Sequence, residues 1–150
     1  MIHVGVTRSP RDAWVAQQLR EATPYGQAPK YLIRDNDSKF GPCFTRVATT
    51  SRIETLKTPV HAKRPNAICE RFLRSVRQEC LDHLLILKEK QLQRVLQAYV
   101  SYCNQTRPHQ GMAQQIPEPS RSVLSSHHAG EKVIALPVMG GLHHDYRWAA

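Results

Sequence analysis

The alternation of short β-forming segments with helical segments constrains the fold of this chain more than any other feature of its sequence. Apolar runs and period-two alternation predict strands, whereas apolar residues three and four positions apart predict helices. The predicted order is a strand at Ile2–Thr7, a helix from Ser9–Pro10 to Ala22, a strand at Lys30–Arg34, a helix at Phe44–Thr50, a strand at Arg52–Lys57, and helices at Asn66–Leu81 and Lys88–Asn104. This order predicts an α/β fold in which helices cover a sheet.

The remaining part of the chain is less regular. Periodicity weakens from Gln114, Pro117–Ser122 has the composition of a linker, and Lys132–Pro137 and Gly141–Trp148 predict short strands or an arm. A length of 150 residues suits one compact domain with a tail. We therefore expect a core at residues 1–112 and a C-terminal linker and arm at residues 113–150.

The charge of the chain indicates a polyanionic partner. The sequence has 21 Lys and Arg against 12 Asp and Glu, which gives a net charge of +9. A basic protein of this size attracts nucleic acid because binding releases counterions. The bias is strongest from Lys57 to Arg77, where Glu70 is the one acid among six basic residues.

Other features disfavour several classes of protein. No apolar run is long enough to span a membrane, and the start lacks the pattern of a signal peptide. We therefore expect a cytoplasmic protein with no membrane partner and no small-molecule substrate. The spacing of Cys43, Cys69, Cys80 and Cys103 suits neither a disulfide framework nor a zinc site, which predicts reduced thiols.

The segment Asn66–Leu81 predicts a helix with two distinct faces. The apolar stripe predicted to be buried consists of Cys69, Phe72, Leu73, Val76 and Cys80. At about 100° per residue, a separate face carries Lys63, Asn66, Glu70, Arg74 and Arg77. Glu70 is therefore expected beside the core and among cations.

Asp35 and Glu70 are the candidate catalytic carboxylates. Asp35 directly follows a predicted strand, and ligands of open α/β sheets lie beyond the carboxyl ends of strands. Two carboxylates at one sheet edge can hold the divalent metal that in-line phosphoryl transfer needs. The side chains expected to contact DNA around them are Lys57, Lys63, Arg64, Asn66, Arg71, Arg74, Arg77, Arg107 and His109.

Several stretches resemble motifs of one family. Ile33–Phe40 resembles the second-aspartate motif of retroviral-type integrases and insertion-sequence transposases, with Asp37 where that family usually has glycine. Pro65–Phe72 resembles the family's glutamate helix, and Tyr102–Met112 resembles its terminal helix. Gly140–Tyr146 resembles the end of one bacterial branch. The chain as a whole resembles a DDE-type transposase/integrase catalytic core.

The resemblance implies a fold and a reaction, and the chain differs from the family at the first catalytic aspartate. It implies a ribonuclease-H-like mixed sheet flanked by helices, with a C-terminal helix and an extended arm. It also implies DNA strand transfer with two Mg²⁺ (or Mn²⁺) ions, for which Asp35 and Glu70 are ligands. The family's first aspartate lies on the first strand, yet no acid precedes Asp12, which opens a helix where an acid complements the dipole. We therefore expect an N-terminally truncated core that lacks the first strand, binds metal more weakly and is inactive as an isolated chain.

Alternatives stay open from the sequence alone. The chain is also interpretable as a non-enzymatic DNA-binding or regulatory fragment, or as a decayed transposase remnant. Its protein partner is then a second copy of itself or a full-length transposase. Asp35 also suits a turn that caps the next helix, and Asp37 suits a helix cap or, as the second alternative, an additional metal ligand. Glu70 also suits an ion pair with Arg74. Residues 107–109 also suit the capping of a helix end.

Overall fold

The structure, a computed structural model, describes residues 3–24, 26–58, 67–118 and 132–149. Its elements are α1 (Asp12–Ala22), β1 (Tyr31–Arg34), α2 (Pro42–Thr50), β2 (Glu54–Lys57), α3 (Ala67–Glu79), α4 (Glu89–Gln105), β3 (Val133–Val138) and β4 (His143–Trp148). The chain divides into two compact units, Ile2–Ser75 and Val76–Ala150, with the boundary inside α3. The architecture is mixed α/β, as the alternation predicts.

In the unit Ile2–Ser75, β1 and β2 pair in parallel and α1 packs against α2. The register runs from Tyr31 opposite Glu54 to Arg34 opposite Lys57. Parallel strands need a crossover, and α2 supplies it. The buried core consists of Ala16, Leu19, Phe44, Val47, Ala48 and Ile53. This arrangement sets the carboxyl ends of β1 and β2 side by side.

Asp12 caps the amino-terminal end of α2 from the start of α1. Its carboxylate accepts main-chain N–H bonds from Gly41 at 3.1 Å, Cys43 at 2.8 Å and Phe44 at 2.8 Å. A Cβ atom at Gly41 would lie 2.8 Å from the Asp12 carboxylate, so this approach requires glycine. Burial alone would raise the pKa of Asp12, but the N–H donors outweigh burial and lower the pKa.

In the unit Val76–Ala150, Glu79 joins the end of α3 to α4 and to the β3–β4 hairpin. The Tyr99 hydroxyl donates to Glu79 Oε2 at 2.8 Å, and the Arg107 guanidinium donates to Glu79 Oε1. His143 Nε2 donates to the Glu79 carbonyl at 2.9 Å, and the His143 ring stacks on Tyr102 with centroids 4.6 Å apart. The side chain and the main-chain carbonyl of Glu79 therefore link α3, α4 and the β3–β4 hairpin.

The predicted helices and most predicted strands form, with ends displaced by at most three residues. The helix predicted to start at Ser9–Pro10 instead begins at Asp12, after Arg11 as its N-cap. β3 and β4 form an antiparallel hairpin where strands or an arm were predicted, and the four cysteines are free, as predicted. Part of the predicted linker Pro117–Ser122 lies outside the described residues. No helix in the described ranges is long and apolar enough to cross a membrane.

The predicted strand at Ile2–Thr7 is wrong for the residues that the structure describes. Residues 3–10 lie outside any helix or strand. The His3 ring instead hydrogen-bonds the Gln18 side chain at 2.8 Å, and a Cβ at Gly5 would collide with that Gln18 oxygen. The segment therefore lies against α1. A strand needs a neighbour for its backbone groups, and the described part of the sheet pairs β1 with β2 alone.

Burial also departs from the predictions. A short apolar run such as β1 is typical of a buried strand, yet Ile33 is 55% exposed and Tyr31 and Leu56 are also exposed. These three side chains share one face of the β1–β2 pair, because side chains alternate along a strand and Ile33 is opposite Leu56. The described strands form two separate two-stranded sheets. The ribonuclease-H-like arrangement stays a prediction.

The apolar stripe of α3 is buried in one half of the helix only. Val76 is buried and leads to the buried Cys80, whereas Phe72 is half-buried. Cys69 and Leu73 are exposed, which corrects the prediction for them. Periodicity identifies the apolar side of a helix but not how much of that side other residues cover.

Candidate functional site

Asp35 lies at the carboxyl edge of the β1–β2 pair. It follows β1 directly and is half-buried. Arg34 is opposite Lys57 in the parallel register, and the Thr58 N–H donates to the Arg34 carbonyl at 2.9 Å. The end of β2 therefore reaches the same edge, and Lys57, an exposed residue predicted to contact DNA, is brought to the edge that carries Asp35.

One oxygen of the Asp35 carboxylate lacks a partner. Oδ1 is buried and accepts no hydrogen bond. An unpaired buried acceptor costs about 1–3 kcal/mol, so native proteins usually supply it with a donor or a cation. Carboxylate oxygens are preferred ligands of Mg²⁺, so this atom fits the chemistry of the predicted metal ligand.

Arg34, the residue before Asp35, is a buried cation at the same edge. It is 9% exposed, and its Nη1 donates to the main-chain oxygen of Asp35 at 3.0 Å. Its guanidinium carbon lies 5.1 Å and 5.8 Å from the ring centroids of Phe40 and Phe44. Arg34 Nε is buried without a partner. The sequence reasoning missed Arg34, although a charged residue at the end of an apolar strand could have indicated a residue of the site.

Asp37 closes a turn beside the site. Its carboxylate accepts the Lys39 main-chain N–H at 3.0 Å and also binds Lys39 Nζ at 3.0 Å. The Lys39 N–H is the main cause that lowers the pKa of Asp37. The predicted helix cap at Asp37 is wrong in its position, because Asp12 caps α2. Sequence reasoning missed this role of Asp12, whose partners lie about thirty residues away and leave no local pattern.

Glu70 lies in the first turn of α3 and is exposed. It makes no hydrogen bond or ion pair with another described residue, so the predicted pair with Arg74 is not formed. Arg71 and Arg74 are exposed, and Arg77 pairs with Asp82 at 3.5 Å with both side chains exposed. An exposed pair contributes at most about 1 kcal/mol, so Arg77 can exchange Asp82 for a phosphate.

The other predicted DNA contacts lie elsewhere. Lys63, Arg64 and Asn66 lie outside the described residues. In the unit Val76–Ala150, Arg107 pairs with Glu79, and His109 Nε2 donates to the Cys103 carbonyl at 2.7 Å. Both side chains fasten the end of α4, as the capping interpretation expects, and their contact with DNA stays a prediction.

The described residues do not form a complete metal cluster. Within them, no group of three or more His, Cys, Asp or Glu side chains is placed to hold a metal ion. Asp35 and Glu70 are nevertheless carboxylates whose oxygens are not all engaged. Mg²⁺ commonly keeps several waters and binds through one or two carboxylates, so the donor chemistry fits this ion.

Part of the chain is similar to a known family of proteins. Residues 51–117, slightly less than half of the chain, match the family model described as "Integrase core domain". The match includes β2, α3 and α4, and therefore Lys57, Glu70 and Arg107. No curated protein and no solved structure matches the chain.

Proposed function

We propose, from the match of residues 51–117 to the family model described as "Integrase core domain", that the chain belongs to the DDE-type integrase/transposase lineage and serves metal-dependent strand transfer on transposon-end DNA. The match itself carries the proposal, because it includes Glu70 and the basic residues of α3. We assign residues 1–112 to a ribonuclease-H-like core and residues 113–150 to a linker and arm.

Asp35 and Glu70 are the proposed metal-binding carboxylates. Asp35 offers a buried oxygen that has no donor, and Glu70 offers an exposed carboxylate at the start of a helix. A divalent ion bound there would activate the attacking oxygen and stabilise the leaving oxygen of a phosphodiester. The two residues would hold and orient the ion.

The proposed role of the basic residues is to hold the DNA backbone. Lys57, Arg71, Arg74 and Arg77 are exposed, and the whole chain carries a net charge of +9. Contacts to phosphates position a protein on DNA without reading the sequence. These cations would therefore set the register of the scissile bond relative to the carboxylates.

Iron-directed cleavage of the polypeptide tests the metal site without requiring turnover. Fe²⁺ binds oxygen ligands in place of Mg²⁺, and with ascorbate and peroxide it generates radicals that cut the nearby main chain. We expect cuts near residues 35 and 70 that excess Mg²⁺ suppresses. Asp35→Asn and Glu70→Gln should each remove both cuts. Asp37→Asn, the matched control, should keep them because Lys39 already engages the Asp37 carboxylate.

Two results would contradict the proposal. Cuts that persist in both Asp35→Asn and Glu70→Gln would show that neither carboxylate is a ligand. Loss of one cut in each variant, with the other retained, would show that the two residues do not share a site.

A further inference from the structure

We infer that Arg34 is a positioning residue, which fixes the main chain of Asp35 so that the Asp35 carboxylate stays free and oriented for a divalent cation. The inference rests on the proposed function, because that proposal gives Asp35 the role of metal ligand. Arg34 lies at the end of β1 and is not among the residues that the sequence pattern predicts for the site.

The contacts of Arg34 are unusual for a buried arginine. Burying a cation is costly unless it is paired or hydrogen-bonded, and Arg34 is 9% exposed. Among the described residues, no carboxylate forms an ion pair with it. Its guanidinium instead donates to the main-chain oxygen of Asp35, and its Nε has no partner. The position of this cation is therefore not explained by a salt bridge.

One oxygen of the adjacent carboxylate also lacks a partner. Asp35 Oδ1 and Arg34 Nε are both buried and both without a partner, so these two atoms do not bind each other. A hydrogen bond between these two charged groups would be charge-assisted and therefore strong. Here the Nη1 bond to the Asp35 carbonyl directs the guanidinium to the main chain. The acceptor oxygen of Asp35 is left available to an ion.

The aromatic rings beneath Arg34 give it a fixed support. The guanidinium lies over Phe40 and Phe44, whose rings meet edge to face with centroids 4.9 Å apart. Phe44 is a core residue, 2% exposed, at the start of the helix that Asp12 caps. A cation over an aromatic ring is attracted by the negative face of the ring, and more strongly when both are removed from water. The donor to Asp35 is therefore held by the core of the unit.

Charge and geometry predict opposite effects of removing Arg34. A positive charge beside a cation site weakens metal binding by repulsion, so its removal would tighten binding if charge dominated. Groups that orient a metal ligand strengthen binding, and their loss typically costs about 10- to 100-fold in affinity. The sign of the change in metal affinity therefore separates the two explanations.

The test measures Mn²⁺ binding by the decrease of the free-ion signal in electron paramagnetic resonance. In the 150-residue chain without DNA, we expect Arg34→Met and Arg34→Lys each to raise the Kd by about tenfold or more. Lysine keeps the charge but lacks the planar fork. Arg46→Met, an exposed arginine of α2 with the same change of charge as Arg34→Met, should leave the Kd within about twofold.

Unchanged or tighter binding in Arg34→Met would overturn the inference, and so would wild-type affinity in Arg34→Lys. Asp35→Asn distinguishes a failure of the inference about Arg34 from a failure of the proposed function. If it binds Mn²⁺ as the wild type does, the proposed function loses its metal ligand; if it loses binding, only the arginine variants decide. Folding of each variant is checked by near-ultraviolet circular dichroism. If Arg34→Met does not fold, Arg34→Lys decides alone.

Discussion

Replacing Glu79 by alanine should destabilise the unit Val76–Ala150 by about 1.5–4 kcal/mol. Glu79 accepts the hydroxyl of Tyr99, which is fully buried, and pairs with Arg107. A hydrogen bond to a charged acceptor contributes about 1.5–3 kcal/mol. The pair with Arg107, whose two side chains are each 30% exposed, adds up to about 1 kcal/mol.

Tryptophan fluorescence can follow this unit separately. The chain has two tryptophans, of which Trp148 lies in this unit and Trp14 in the other. In a Trp14→Phe background, urea unfolding is followed at Trp148. Tyr99→Phe should cost about 1–2 kcal/mol, and the double variant with Glu79→Ala should show a coupling of about 1–2 kcal/mol. Glu118→Ala, an exposed acid of the same unit, should change stability by less than about 0.5 kcal/mol.

Alkaline pH gives an independent check on the same contact. Burial, and then the bond to Glu79, raise the pKa of Tyr99. Above the ordinary tyrosine pKa of about 10, the unfolded chain loses this proton while the folded chain keeps it, so stability falls as pH rises. Tyr99→Phe should lack this part of the decline. A coupling below about 0.5 kcal/mol, or identical alkaline curves, would refute the assignment.

Two further predictions concern the other unit and the DNA surface. Asp12→Asn, followed at Trp14 in a Trp148→Phe background, should lower the urea midpoint at neutral pH. The lowered pKa of Asp12 contributes stability that is present above the ordinary aspartate pKa and lost as pH falls through the folded value. The gap from the wild type should therefore close in acid, and a constant gap would contradict the capping role. For DNA, Arg71→Gln should make the plot of log affinity against log salt shallower by about 0.9 for each phosphate that the Arg71 side chain neutralises. Arg20→Gln, an exposed arginine of α1 with the same change of charge, should leave the slope of that plot unchanged. If Arg71→Gln and the wild type have equal slopes, Arg71 does not contact the DNA backbone.

The order of elements was predictable because it depends on local patterns. The helix at Phe44–Thr50 and the two short strands that became β3 and β4 follow from the spacing of residues near in sequence, whereas their pairing as a hairpin was not predicted. The failed strand at Ile2–Thr7 has equally good β-forming residues. Strand formation, however, depends on a partner distant in sequence, and no local pattern states whether that partner is present. The exposure of Ile33 has the same origin.

The sequence predicted which residues form the candidate site but not the contacts that hold those residues in place. Asp35 was identifiable as an acid after an apolar strand, and Glu70 as an acid within a basic helix face. The hydrogen bond of Arg34 to the main chain, the rings beneath it and the cap that Asp12 provides all depend on tertiary placement. Spacing along a chain does not encode which side of a strand end is covered by a later helix.

The uncovered apolar face formed by Tyr31, Ile33 and Leu56 bears on how the protein behaves in solution. Contiguous apolar surface promotes self-association, which the net charge of +9 opposes through repulsion between molecules. Salt shortens the range of that repulsion to about 10 Å at 0.1 M. We therefore expect aggregation to increase with ionic strength. Because loss of monomer to aggregates would lower the apparent DNA affinity in the same way as weaker binding to phosphates, light scattering should be measured in every salt titration of DNA affinity.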